Sequence, residues 1–158
     1  MRARMLARCE TKPQMRPYLV ARAGTLAHNW TDDWERLAQL YRLYAKEHKR
    51  SDSDSWPLTQ QAALQFRCAR PRDSVPLLER SLAAEGRPGR AVLDWLWLAL
   101  AYQKMGNPSE ARRWLEKAAN WLDQQGGRMP VETREMGSHR HNWLEAHVLR
   151  QEAEERRR

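Results

Sequence analysis

Between Asp94 and Gln124 the sequence reads DWLWLALAYQKMGNPSEARRWLEKAANWLDQ, and no other stretch restricts the fold as strongly. Trp95, Leu98, Ala99 and Tyr102 fall at i, i+3, i+4 and i+7, which is one stripe of an α-helix. Gly106 can take the left-handed conformation that ends a helix. Asn107 then suits an N-cap, Pro108 the first helical position, and Glu110 the spacing of a capping box. Ala111, Leu115, Ala118 and Leu122 form a second stripe. The small Ala99, Ala111 and Ala118 permit close approach of two helices, and the large residues fill the space around them. The spacing predicts an antiparallel helical hairpin. Four of the chain's eight tryptophans lie in this stretch. Large aromatics at helical spacing are core residues, each ring burying about 150–250 Å². Trp97 and Trp114 lie off the stripes and are the rings expected to be partly exposed.

Helical periodicity recurs along the chain, and strand-like alternation is scarce. The pattern predicts helices over 3–10, 14–28, 33–47, 56–68, 74–84, 91–105, 109–124 and 139–155. Thr31 with Asp32 and Asp33 reads as a cap with favourable charge at a helix N-terminus. Pro76 is expected in a first turn capped by Asp73, where amides lack intrahelical acceptors anyway. "HKRSDSDSWP", "EGRPGR" and residues 126–137 read as connectors, and Arg156–Arg158 as a frayed tail.

The order Trp95, Leu98, Ala99, Tyr102, Gly106, Ala111, Leu115, Ala118 resembles the tetratricopeptide repeat, W-x-x-L-[GA]-x-x-Y, a turn, then A-x-x-x-[FL]-x-x-A. The usual Gly after the Leu is Ala99 here, and Asp123 stands near the place of the usual Pro. A weaker copy lies upstream. In it Phe66 replaces Tyr102, and Ser74, Leu78 and Ser81 replace Ala111, Leu115 and Ala118, with one residue of slippage in a turn that lacks Gly. A degenerate third copy combines "YLVARAGTLA" with Leu37, Tyr41 and Tyr44. The order of segments also resembles a C-terminal repeat region of large bacterial proteins, where it follows kinase or β-propeller domains. The landmarks are "MLARC", "VARAGTLA", "DWERLAQL", "VPLLERSLA" and "NWLEAHVLRQEAE".

The resemblance implies an all-α, right-handed solenoid forming one domain. It divides into a degenerate basic repeat over 1–50, a weak repeat over 56–84, a clear repeat over 91–124 and a capping helix over 139–155. It further implies a concave face lined by the first helix of each repeat, binding a peptide or a helix. Residues beside the stripes on those helices are the candidates: Arg22, Leu64, Arg67, Leu96, Leu100, Gln103 and Lys104. Leucines beside a lysine suit an amphipathic or acidic peptide.

Charge supplies the competing reading. Residues 1–50 hold 11 of the 28 basic side chains but only 5 of the 20 acidic ones. Arg8, Arg16, Arg22, Arg36 and Arg42 can track phosphates, so nucleic acid is the alternative partner. No phosphate-binding loop, nucleophile elbow or kinase signature is present, so the expectation is a non-enzymatic protein without cofactors or a small-molecule substrate. His139, His141 and His147 lack the i, i+4 spacing of helical metal ligands, and no metal site is expected. Cys9 and Cys68 read as free thiols of a reducing compartment. "MRARMLARCE" has no apolar run, and no stretch approaches a membrane span, which predicts a cytoplasmic protein.

On the last helix Trp143, Ala146, Leu149 and Ala153 form a stripe expected to cover the helix over 109–124, with Trp143 as anchor. Glu145, Gln151, Glu152 and Glu155 are expected to face water, and Leu144 and Val148 fit neither side.

Overall fold

The structure is a computed structural model that describes residues 17–26, 33–47, 55–84, 88–125 and 140–156. They form α1 (Pro17–Leu26), α2 (Trp34–Glu47), α3 (Ser55–Arg67), α4 (Pro71–Ala84), α5 (Pro88–Lys104), α6 (Pro108–Gln124) and α7 (Arg140–Glu155). No strand occurs among the described residues, so the fold there is all-α. The helix expected over 3–10 lies outside them.

The ends of α5 and α6 follow from their sequence. The Asn107 N–H donates to Tyr102 O at 2.9 Å and the Gly106 N–H to Gln103 O at 3.1 Å, while Gly106 has φ +75°. This pair of bonds satisfies carbonyls that the end of a helix leaves open. Asn107 Oδ1 then accepts from the Glu110 N–H at 3.2 Å, and Pro108 opens α6. The turn between α3 and α4 is built the same way without a glycine. There the Arg70 N–H reaches Gln65 O at 2.9 Å, the Ala69 N–H reaches Phe66 O at 3.1 Å, and Ala69 itself has φ 60°. Ala69 therefore corresponds to Gly106, Pro71 to Pro108, Ser74 to Ala111, Leu78 to Leu115 and Ser81 to Ala118, at one constant offset. At that offset Gln65, not Phe66 as expected, stands at the place of Tyr102, and Phe66 at that of Gln103, so the turn needs no slippage.

That geometry starts α4 at Pro71, ahead of the cap expected at Asp73. Pro76 accordingly sits inside the helix, where its missing N–H forgoes one intrahelical bond. At α2 the cap is Asp33, whose Oδ1 accepts from the Arg36 N–H at 3.1 Å; Thr31 and Asp32 lie outside the described residues.

Helices pack in consecutive pairs: α1 on α2, α3 on α4 and α5 on α6, joined by α2 against α3 and α4 against α5. The first helix of each pair also touches the next, α1 to α3 and α3 to α5. The main core gathers Ala62, Phe66, Leu78, Leu115 and Trp143 around α5, which is buried from Ala91 to Ala101. A smaller core joins Val20, Leu37 and Tyr41 to Leu64 of α3. Of the residues that carry the repeat resemblance, Trp95, Leu98, Ala99, Ala111, Leu115 and Ala118 are buried and Tyr102 is half-buried.

Trp97 is not partly exposed as expected. It is 1% exposed, its ring 5.6 Å from that of Phe66, because α3, α4, α6 and α7 all pack on α5. Trp114 is half-buried, with the Arg113 guanidinium 4.7 Å and the Lys117 ammonium 5.4 Å from its ring centre. The position of α7 also differs from expectation. It packs chiefly on α5, less on α6, and reaches α1.

The two turns should respond oppositely to substitution. A Cβ at Gly106 meets nothing within 4 Å, so Gly106→Ala should destabilise through backbone conformation alone, by about 1 kcal/mol. Ala69→Gly should relieve about 1–2 kcal/mol of left-handed strain. Part is offset by the greater freedom of glycine in the unfolded chain, for a net gain of about 0.5 kcal/mol. Urea unfolding of both variants checks this; an Ala69→Gly variant less stable than the parent contradicts the turn.

Candidate functional site

The faces of α1, α3 and α5 that the repeat resemblance singles out meet α7. Three side chains reach it from three helices. Arg22 of α1 donates through Nε to Glu145 Oε2 at 2.7 Å and through its terminal nitrogen to Asn142 Oδ1. Arg67 of α3 grips Glu152 with both terminal nitrogens, each at 2.7 Å, and donates through Nε to Thr25 O of α1 at 2.7 Å. Gln103 of α5 donates to Ala153 O at 2.9 Å. The side chains of Arg22 and Glu145 are 7% and 5% exposed, and those of Arg67 and Glu152 are 4% and 8%.

Of the other candidates, Leu64, Leu96 and Leu100 are buried in the cores, and Lys104 is exposed. The inner face of α7 comprises Asn142, Trp143, Glu145, Ala146, Leu149, Glu152 and Ala153, all buried. Glu145 and Glu152 therefore do not face water as expected. The arginines of α1 and α3 draw them inward, while Gln151, Glu155 and the apolar Leu144 and Val148 are exposed.

A second polar cluster adjoins the first. Asp94 accepts from Thr59 at 2.6 Å and from Ser81 at 2.7 Å, and lies 3.5 Å from Arg90. Arg90 also donates to Ser81 at 3.2 Å and to Thr59. The Trp56 ring connects the clusters, with the Arg90 guanidinium 4.0 Å and that of Arg22 5.1 Å from its centre. Sequence reasoning missed this cluster. Its one local signal was Arg90 and Asp94 at i, i+4 within a run of apolar residues, a spacing that brings opposite charges together.

Burial governs the electrostatics here. It raises the pKa of Glu145, against the opposing pull of Arg22 and Arg90, with nearby Asp94 adding to the rise. Burial likewise raises Asp94, opposed by Arg90 and the hydroxyls of Thr59 and Ser81. His147 is lowered by burial and by Arg150. Burial pushes the Cys68 thiol up to about 11, which leaves little reactive thiolate at neutral pH. Among the described residues no three His, Cys, Asp or Glu side chains are grouped to hold a metal ion. None of the described helices is long and apolar enough to cross a membrane. Cys9 and His139 lie outside the described residues.

Two outcomes follow from the buried charges. Arg67→Ala takes from the buried Glu152 the guanidinium that meets both its oxygens, and should cost about 3 kcal/mol. Arg67→Met with Glu152→Leu should recover most of that loss, because no unpaired charge remains buried. Urea melts decide; a double variant no better than the single contradicts the assignment. The second outcome concerns pH. With its pKa raised on folding, Glu145 loses its proton at a higher pH in the native state than in the unfolded chain. Its contribution to stability is therefore present at low pH and falls as pH rises above 4.5 through the folded value. Glu145→Gln does not titrate, so it should gain on the parent as pH rises from acid to neutral. Thermal melts across that range test the sign, and a parent-to-variant difference independent of pH refutes it.

No family model matches the chain, and no similar curated protein or solved structure is found.

Proposed function

We propose that the chain is a non-enzymatic, cytoplasmic scaffold of the tetratricopeptide type. In this reading α1/α2, α3/α4 and α5/α6 are repeats stacked as a solenoid, and the face of α1, α3 and α5 binds a helix of a protein partner. The observation that carries the reading is the spending of Arg22, Arg67 and Gln103, one from each first helix, on a single helical segment, α7. That face complements a helix in charge and in shape, with paired arginines for carboxylates and leucines beneath. Nucleic-acid binding ranks behind it. Arg22, one of the arginines assigned to phosphates, is buried against Glu145, while Arg36 and Arg42 remain exposed on α2.

A photo-reactive amino acid at the exposed Lys104, beside the face, tests the reading in cell extract. The expected product is a protein cross-linked through a helical segment. If only nucleic acid is retained, and it is released between low and physiological salt, the alternative takes its place.

A further inference from the structure

The residues that α7 presents inward are unusual for a helix whose task is to complete a core. Three of the seven, Asn142, Glu145 and Glu152, are polar or charged. Buried ion pairs contribute little net stability, because desolvation consumes most of their attraction; apolar residues of similar volume would hold α7 at least as firmly. What such pairs enforce is selectivity, since a misplaced or missing partner leaves a charge stranded in the interior. Beside apolar residues that join the main core, α7 thus carries charged contacts of a kind that select a partner. Its connection is consistent with that. Residues 126–139 separate it from α6, and its packing on α6, its neighbour in sequence, is the slighter one.

From this we infer that α7 is an internal occupant of the α1–α3–α5 face, and that the external partner is an acidic amphipathic helix that competes with it. The required pattern is read from α7: carboxylates seven residues apart, as Glu145 and Glu152 are, with small or aliphatic residues between them, as Ala146 and Leu149 are. The spacing follows from the helix. Seven residues are about two turns, so both carboxylates lie on one side, about 10.5 Å apart along the axis. One meets Arg22 and the other Arg67. Beside the C-terminal end of α7, a groove of about 220 Å³ is lined by Gln103 of α5, by Ala111, Arg112 and Leu115 of α6, and by Arg156. Covalent attachment gives α7 an effective concentration of about millimolar, so a free helix competes poorly until the grip of α7 is weakened.

This inference rests on the scaffold reading and can fail without it. The probe is a fluorescent synthetic peptide of residues 140–156, followed by anisotropy against the full-length chain. The parent, with its own α7 docked, should bind it weakly. A Glu145→Lys/Glu152→Lys chain, whose α7 is repelled by Arg22 and Arg67, should bind it at least about tenfold more tightly. A peptide with both glutamates changed to glutamine should lose at least about tenfold on that chain. A helical, cooperatively melting variant that takes up neither peptide, or both equally, overturns the inference.

If the variant does not fold, the parent itself supplies the answer through hydrogen exchange. Millimolar unlabelled peptide should speed exchange of the α7 amides of isotope-labelled protein several-fold and leave those of α5 unchanged. Unchanged α7 exchange overturns the inference. A partner cross-linked at Lys104 with no peptide binding would leave the scaffold and remove only the role of α7; failure of both would remove both.

Discussion

Two buried arginine–glutamate pairs, Arg22 with Glu145 and Arg67 with Glu152, set the arrangement on which the rest of this structure depends. A charge removed from water is costly unless a partner of good geometry meets it. Each pair meets that demand across separate helices, and Arg67 does so with two parallel bonds while its third nitrogen satisfies a carbonyl of α1. One guanidinium thus ties α1, α3 and α7 together. Sliding α7 by a single turn would separate both glutamates from their arginines, so the register of the helix is fixed by electrostatics. Apolar packing alone tolerates such shifts more easily.

Under this polar layer lies a core of ordinary kind. Helix α5 is its axis, because helices on several sides require it to be apolar nearly all round. Ala99, Ala111 and Ala118 are buried where α5 and α6 pack, and the rings of Trp95, Trp97 and Trp143 are buried in the same core. The exceptions along the buried stretch of α5 are Arg90 and Asp94, which hydrogen-bond to Thr59 and Ser81. Trp56 lies against both Arg90 and Arg22, so the two polar clusters form a continuous system through the first turns of α3 and α5. Outside it, Leu144 and Val148 stand exposed on the far side of α7 at 61% and 42%.

The limits of local inference show at particular residues. Gly106, Asn107 and Pro108 act within one turn of their own position, and their roles could be assigned from spacing. Ala69 carries out the task of Gly106 without any compositional sign of it: at φ 60° it sits in a turn closed by the Ala69 and Arg70 N–H groups on Phe66 O and Gln65 O. Trp97 lies off the stripe and was expected to meet solvent, because a stripe describes one contact face, and α5 has several. Arg22, Arg67 and Gln103 could be placed beside the stripes from the repeat register, but what they face could not.

The sequence by itself therefore determined the elements: seven described helices, the caps at Asp33 and Asn107, and the close pairing of α5 and α6, all products of interactions spanning a few residues. Only the tertiary structure decided that α7 lies on α5 and α1, and that Glu145 and Glu152 point inward. The physical reason is distance along the chain. Arg22 is 123 residues from Glu145, and Arg67 is 85 from Glu152. Periodicity within α7 marks its glutamates as solvent-facing, and that holds for any helix considered alone. Two arginines supplied by remote helices reverse the assignment, because a paired carboxylate can stay buried where an unpaired one cannot.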